Sequence, residues 1–105
     1  PKNKILPLAG LWDIWQDDDG SKFHTYTVIT TTPVTSISFI HNRMPVIFNE
    51  EAMNGWLNPE TSKQKALNYL IPYEGLLEYH PVSTYVNSPK NNSKNCIIPI
   101  HEDKL

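Results

Sequence analysis

Apolar and polar positions fall in short, uneven blocks along the chain, and the blocks predict short elements. Residues 8–15, Leu-Ala-Gly-Leu-Trp-Asp-Ile-Trp, read as a strand. Asp17, Asp18, Asp19 and Gly20 read as a turn in which Gly20 supplies the positive φ. Residues 23–31 are β-branched and aromatic and read as a second strand, completing a hairpin with a solvated acidic tip. A polar stretch, 33–38, carries no clear pattern. Phe39 and Ile40 then lead into the polar triplet His41, Asn42 and Arg43. Met44-Pro45 follows, and a second apolar run ends at Phe48. Pro45 biases Met44 away from helix, so a loop at 41–44 and a short buried strand at 45–48 are expected.

Asn49 is a natural N-cap, and Glu50 and Glu51 suit the positive end of a helix dipole. A helix over 50–57 is expected, burying Met53, Trp56 and Leu57 before Asn58-Pro59 ends it. Thr61 and Gln64 have capping-box spacing and open a second helix over 62–71, with Leu67, Leu70 and Ile71 on one face and Pro72 as its stop. Residues 76–79 and 82–86 read as strands broken by Pro81. Residues 87–95 read as a loop, 96–100 as an apolar strand and 101–105 as a frayed tail. The sum is an α+β, β-rich domain with two short helices in its middle.

Composition narrows the function classes. The chain has 105 residues, enough for one domain, with 39% hydrophobic and 19% charged residues, as in an ordinary folded domain. No apolar run approaches a membrane span, and no secretory leader is legible at the start, so an intracellular, reducing site (nuclear or cytoplasmic) and no membrane partner are expected. A net charge of −2 gives no global basic field, so nucleic-acid binding has to come from a local patch. The single cysteine, Cys96, excludes an internal disulfide and reads as an inert buried thiol. His24, His41, His80 and His101 lack metal-ligand spacing, so no metal or other cofactor is expected.

His41 and Arg43 are the candidate chemistry. An imidazole suited to proton transfer lies two residues from a guanidinium fork suited to phosphate. The plain alternative is a turn histidine beside a surface arginine. Trp56 reads as core. Trp12 and Trp15 read as core or as platforms for base stacking. Lys90 and Lys94 sit in an asparagine-rich loop that reads as solvated surface.

The run Ile40-His41-Asn42-Arg43-Met44-Pro45-Val46-Ile47 resembles the Ile-His-x-Arg-Met-Pro motif of the SOS response-associated peptidase (SRAP) family. The resemblance extends upstream over residues 8–15 and 26–31. Downstream it takes in Trp56-Leu57, His80-Pro81-Val82-Ser83 and 86–92, and runs on to 97–100. It is most similar to the eukaryotic branch, the abasic-site processing proteins. The implied fold is a β-rich α+β mixed sheet or open barrel, of which this chain matches the C-terminal half. The implied activity is binding of single-stranded DNA and covalent capture of abasic sites, together with self-processing peptidase activity. A cysteine at the mature N-terminus forms a thiazolidine with the open-chain sugar, and a histidine moves protons. By motif match His41 is that histidine, Thr30 is a threonine near the active-site floor, and Arg43 grips DNA phosphate. The sequence departs from the family in having Pro1 at its first position and in lacking the glutamate and asparagine segments. The implied partners are therefore single-stranded DNA with abasic sites and the missing N-terminal half of the domain. The competing reading is a non-catalytic single-stranded-DNA-binding module or an inert fragment.

Overall fold

The structure is a computed structural model that describes residues 5–100; Pro1 and the expected tail at 101–105 lie outside the described residues. It is α+β, with short antiparallel strand pairs and two short helices. Two compact units divide at Gly75–Leu76, and each is described by itself.

In the first unit, β1 (Gly10–Gln16) and β2 (Lys22–Val28) form the expected antiparallel hairpin. Its tip closes on a network of acidic side chains. Asp17 accepts the Asp19 and Ser21 amides, Asp19 also accepts the Ser21 amide, and Gly20 takes φ +91°. Hydrogen bonding with Asp17, then with the Ser21 hydroxyl and amide, lowers the Asp19 carboxyl from 3.8 to about 2.

The expected strand over 23–31 is split. Ile29 leaves β2 to join a three-segment junction, donating its amide to the Ala9 carbonyl (3.0 Å) while its own carbonyl accepts from Val46 (2.9 Å). Ala9 in turn donates to Val46 (2.8 Å), and Phe48 donates to Pro7 (2.9 Å). Beyond the junction, β3 (Thr30–Thr31) pairs with β4 (Met44–Pro45), Thr30 opposite Pro45 and Thr31 opposite Met44. Ala9, Val46 and Phe48 form the core, with Ile29, Ala52, Met53, Trp56, Tyr69 and Leu70 packed against it. The expected buried run at 45–48 is thus realised, although only its first residue belongs to a ladder.

Helix α1 (Glu50–Leu57) starts where expected, with the Asn49 side chain accepting the Ala52 amide at 2.8 Å. Trp56 faces the core, its ring 5.5 Å from that of Phe48 and its Nε1 donating to the Gly10 carbonyl. Leu57 does not; it is 72% exposed, because the helix ends there and the core contacts are taken by Ala52, Met53 and Trp56.

The capping box is corrected by the structure. The Thr61 hydroxyl donates to the Gly55 carbonyl (2.6 Å), satisfying the end of α1, and Ser62 caps the next helix by accepting the Lys65 amide. Helix α2 (Lys63–Asn68) is shorter than the expected 62–71, because Tyr69 and Leu70 bond three residues back and tighten the last turn. Leu70 reaches the core; Leu67 and Ile71 stay exposed.

The second unit contains no extended strand among its described residues, contrary to the expectation for 76–79, 82–86 and 96–100. Three serines account for much of this. Ser83, Ser88 and Ser93 each accept the amide two residues on, which bends the chain in place of a ladder. Two 3₁₀ turns result, Thr84–Asn87 and Lys94–Ile97, and pairing is left to one bridge, Val82 with Pro99. Cys96 is buried, as expected, with Sγ 3.4 Å from the Asn91 carbonyl.

Candidate functional site

The β3–β4 pair brings the ends of the 32–43 loop together. Pairing Thr30 with Pro45 and Thr31 with Met44 sets residues 41–43, which precede β4 directly, beside Thr30. The loop is also held from within: the Val34 amide lies 3.4 Å from Met44 Sδ, and one 3₁₀ turn spans Thr35–Ile37.

Thr30, His41 and Arg43 meet at the mouth of this loop. The Arg43 Nη2 donates to the Thr30 carbonyl at 2.9 Å and to its hydroxyl at 3.1 Å; Nε donates to the same hydroxyl at 3.4 Å. One edge of the guanidinium is therefore fixed, and among the described residues no protein acceptor takes Nη1. Nη1 keeps its two diverging N–H donors for an anion. All three residues are exposed, so a large ligand has access.

His41 is oriented by its neighbour's main chain. The Arg43 amide donates to His41 Nδ1 at 3.1 Å. A main-chain N–H can only donate, so Nδ1 holds a lone pair and the proton of the neutral ring lies on Nε2. Nε2 is thus the proton-bearing ring nitrogen. Arg43 contributes twice, its backbone orienting the imidazole and its side chain locked to Thr30.

The sequence and its family resemblance named the three residues but not the groups that join them. The Arg43 amide and the Thr30 carbonyl belong to the main chain, and no motif of side chains reveals them. The His-x-Arg spacing does hold a signal, because a ring acceptor two residues before an N–H closes a turn much as an aspartate does.

The other candidates lie elsewhere. His80 Nε2 donates to the Ile97 carbonyl at 2.7 Å and has a structural role in the second unit. His24 lies opposite Ile14 in the hairpin. Trp12 and Trp15 are exposed rather than core, with Trp15 tilted 34° against Phe23 at 5.5 Å. Among the described residues no group of acidic, histidine or cysteine side chains is placed to hold a metal. A cleft of about 370 Å³ lies beside α1 and α2, lined by residues that include Asn49, Glu51, Asn68, Tyr73 and Glu74. Neither Thr30, His41 nor Arg43 lines it, so the cleft and the polar cluster are separate features.

Comparison with known proteins matches these elements to a family. The model of the SOS response associated peptidase (SRAP) family matches residues 1–89. The abasic site processing protein HMCES of Gallus gallus is 39% identical over 100 residues, covering 92% of this chain and 30% of that protein. The abasic site processing protein YoqW of Bacillus subtilis is 40% identical over 97 residues, covering 90% of this chain and 43% of that protein. A solved protein from Bacteroides thetaiotaomicron superposes with a TM-score of 0.81 at 25% identity, over 95% of this chain and 46% of the other. The chain therefore spans less than half the length of these relatives.

Proposed function

The chain belongs to the SOS response associated peptidase family, and from that premise we propose that it forms part of a domain that processes abasic sites in single-stranded DNA. The supporting observation is the Thr30–His41–Arg43 cluster, in which a fixed guanidinium edge lies beside an oriented imidazole. Abasic deoxyribose is mainly a closed hemiacetal. Opening it removes the proton of the C1′ hydroxyl and adds one to the ring oxygen, leaving an aldehyde. His41 moves a proton through Nε2 in this step, while the Nη1 edge of Arg43 holds the flanking phosphate. Thr30 holds Arg43 in place.

Capture of the aldehyde requires a nucleophile from outside these 105 residues. An N-terminal cysteine, supplied by the remainder of the domain, bonds to the aldehyde carbon through its amine and its thiol, and water leaves as the thiazolidine ring closes. Cys96 does not take this part, because it is buried in the second unit. Self-processing by the same cysteine completes the reading, with the domain acting as peptidase and as abasic-site crosslinker.

The test is denaturing mass spectrometry of the complete domain mixed with a single-stranded oligonucleotide bearing one abasic site. His41→Ala is expected to slow adduct formation or its reversal by about 100-fold, the lower end for a positioned acid–base group. Unchanged rates in both directions refute the role of His41. If Arg43→Ala weakens DNA binding while His41→Ala alters nothing, the domain is a binding module without this chemistry.

A further inference from the structure

The cleft beside α1 and α2 takes no part in the Thr30–His41–Arg43 cluster, and the charge of its lining is one-sided. Two carboxylates, Glu51 and Glu74, border it, and none of its lining residues is a lysine or an arginine. Among the described residues, no partner engages either carboxylate, the Asn68 amide or the Tyr73 hydroxyl. Glu51 stands in the first turn of α1, on a helix end fixed by its Asn49 cap. The aromatic part of the lining is equally definite. Tyr69 and Tyr73 are half-buried. A Cβ at Gly75 would collide with the Tyr73 ring, so the ring lies against bare main chain and a side chain at Gly75 would push it aside. Ile47 and Pro72 add apolar surface.

We propose that this cleft is a docking pocket for an arginine side chain carried on a basic peptide segment of a partner protein. Charge complementarity carries the choice. Two unpaired carboxylates with no neighbouring cation in the lining attract a cation and repel a phosphate backbone. Tyr73 offers a ring face to that cation, and a planar guanidinium uses it better than a compact ammonium does. The carboxylates accept its N–H donors, and the apolar lining covers its methylene stem. Size agrees as well. A cleft of about 370 Å³ is small among ligand clefts, which span about 300–1,000 Å³, so it fits one long side chain and not a docked helix roughly 10–12 Å across. A metal ion does not fit, since among the described residues no group of side chains is placed to hold one. The pocket is independent of the abasic-site chemistry.

The test is a titration of the isotope-labelled complete domain, read by NMR at the Ala52, Asn68 and Gly75 amides. The probe is the capped peptide acetyl-Ala-Arg-Ala-amide. Saturable shifts confined to the cleft are expected, and added salt should weaken them. The same peptide with neutral citrulline should bind at least about tenfold more weakly, and the lysine peptide about threefold more weakly. Glu51→Gln, Glu74→Gln and Tyr73→Leu should each weaken the arginine peptide about threefold. Gly75→Ala displaces the Tyr73 ring without touching charge and should act like Tyr73→Leu. Urea midpoints show that the variants stay folded. The proposal is overturned if no saturable shift appears at the cleft, if citrulline or lysine matches arginine, or if binding is indifferent to all four substitutions. Spermidine binding as tightly as the arginine peptide also overturns it, in favour of a free polyamine. Crosslinking to abasic DNA should be unchanged in Glu51→Gln, so failure here is separate from failure of the crosslinking role.

Discussion

Thr30→Val removes one hydroxyl and keeps the β-branched shape, so it isolates the side-chain half of the lock on Arg43. The Thr30 hydroxyl accepts from Nη2 at 3.1 Å and from Nε at 3.4 Å, while the Thr30 carbonyl retains its 2.9 Å bond. A hydrogen bond to a charged group contributes about 1.5–3 kcal/mol when dry. Both residues are exposed, so solvent competition reduces this to roughly 0.5–1 kcal/mol. Releasing a long side chain that must be ordered again on binding costs a similar ~0.5–1.5 kcal/mol. The variant should therefore bind single-stranded DNA about fivefold more weakly, a loss near 1 kcal/mol. Fluorescence anisotropy of the complete domain across a salt series reads affinity and slope together. Arg43→Ala removes the proposed phosphate contact and should flatten the log–log salt slope by about 0.7. Thr30→Val keeps the charge and should leave the slope unchanged while lowering affinity at every salt, and Thr30→Ser should restore binding. Unaltered affinity in Thr30→Val refutes the lock. A slope change equal to that of Arg43→Ala refutes the division between a gripping residue and a positioning one.

Three further outcomes follow from the packing and the hairpin. A Cβ added at Gly55 would meet the Tyr69 phenol, which packs against the core. Overpacking outweighs the gain in helix propensity, so Gly55→Ala should destabilise by about 1 kcal/mol, read as a lower urea midpoint with unchanged slope. Val46 is fully buried, and Val46→Ala should cost about 2 kcal/mol in the same assay; a loss under about 0.5 kcal/mol contradicts its place at the centre of the core. Asp19 titrates at about 2 in the folded hairpin against an ordinary 3.8, so its contribution is complete above about 3.8 and is lost as pH falls towards 2. The carboxyl carbon shift of Asp19 should follow that lower midpoint by NMR, and a midpoint near 4 removes the hydrogen-bonded tip from the account.

The hairpin and α1 were legible because local rules decide them. Aromatic and β-branched runs on either side of an acidic Gly-ended turn specify the first; Asn49 followed by two glutamates specifies the second. The break at Ile29 was not legible, because it depends on Ala9 and Val46, both distant in sequence. Residues 76–100 show the converse. Their apolar runs resemble strands, but serine hydroxyls compete for main-chain amides and win where no neighbouring strand offers a ladder. At the site, residue types and spacing marked His41 and Arg43. Their joining to Thr30 needed the β3–β4 register, which no window of sequence contains.

The Ala9–Ile29–Val46 junction also orders events in time. Its three members come from three separate stretches of chain, and Thr30 follows one of them directly while Arg43 precedes another by three positions. Neither helix nor hairpin formation, both local and fast, brings Thr30 to Arg43; only closure of the junction does, and that step bears the entropy of the loop from Ile29 to Val46. The Thr30–Arg43 contact is therefore assembled at the slow, cooperative stage of folding, together with the core. A chain with only its hairpin and α1 formed would lack this contact, and Arg43 would be held only in molecules whose interior has already closed.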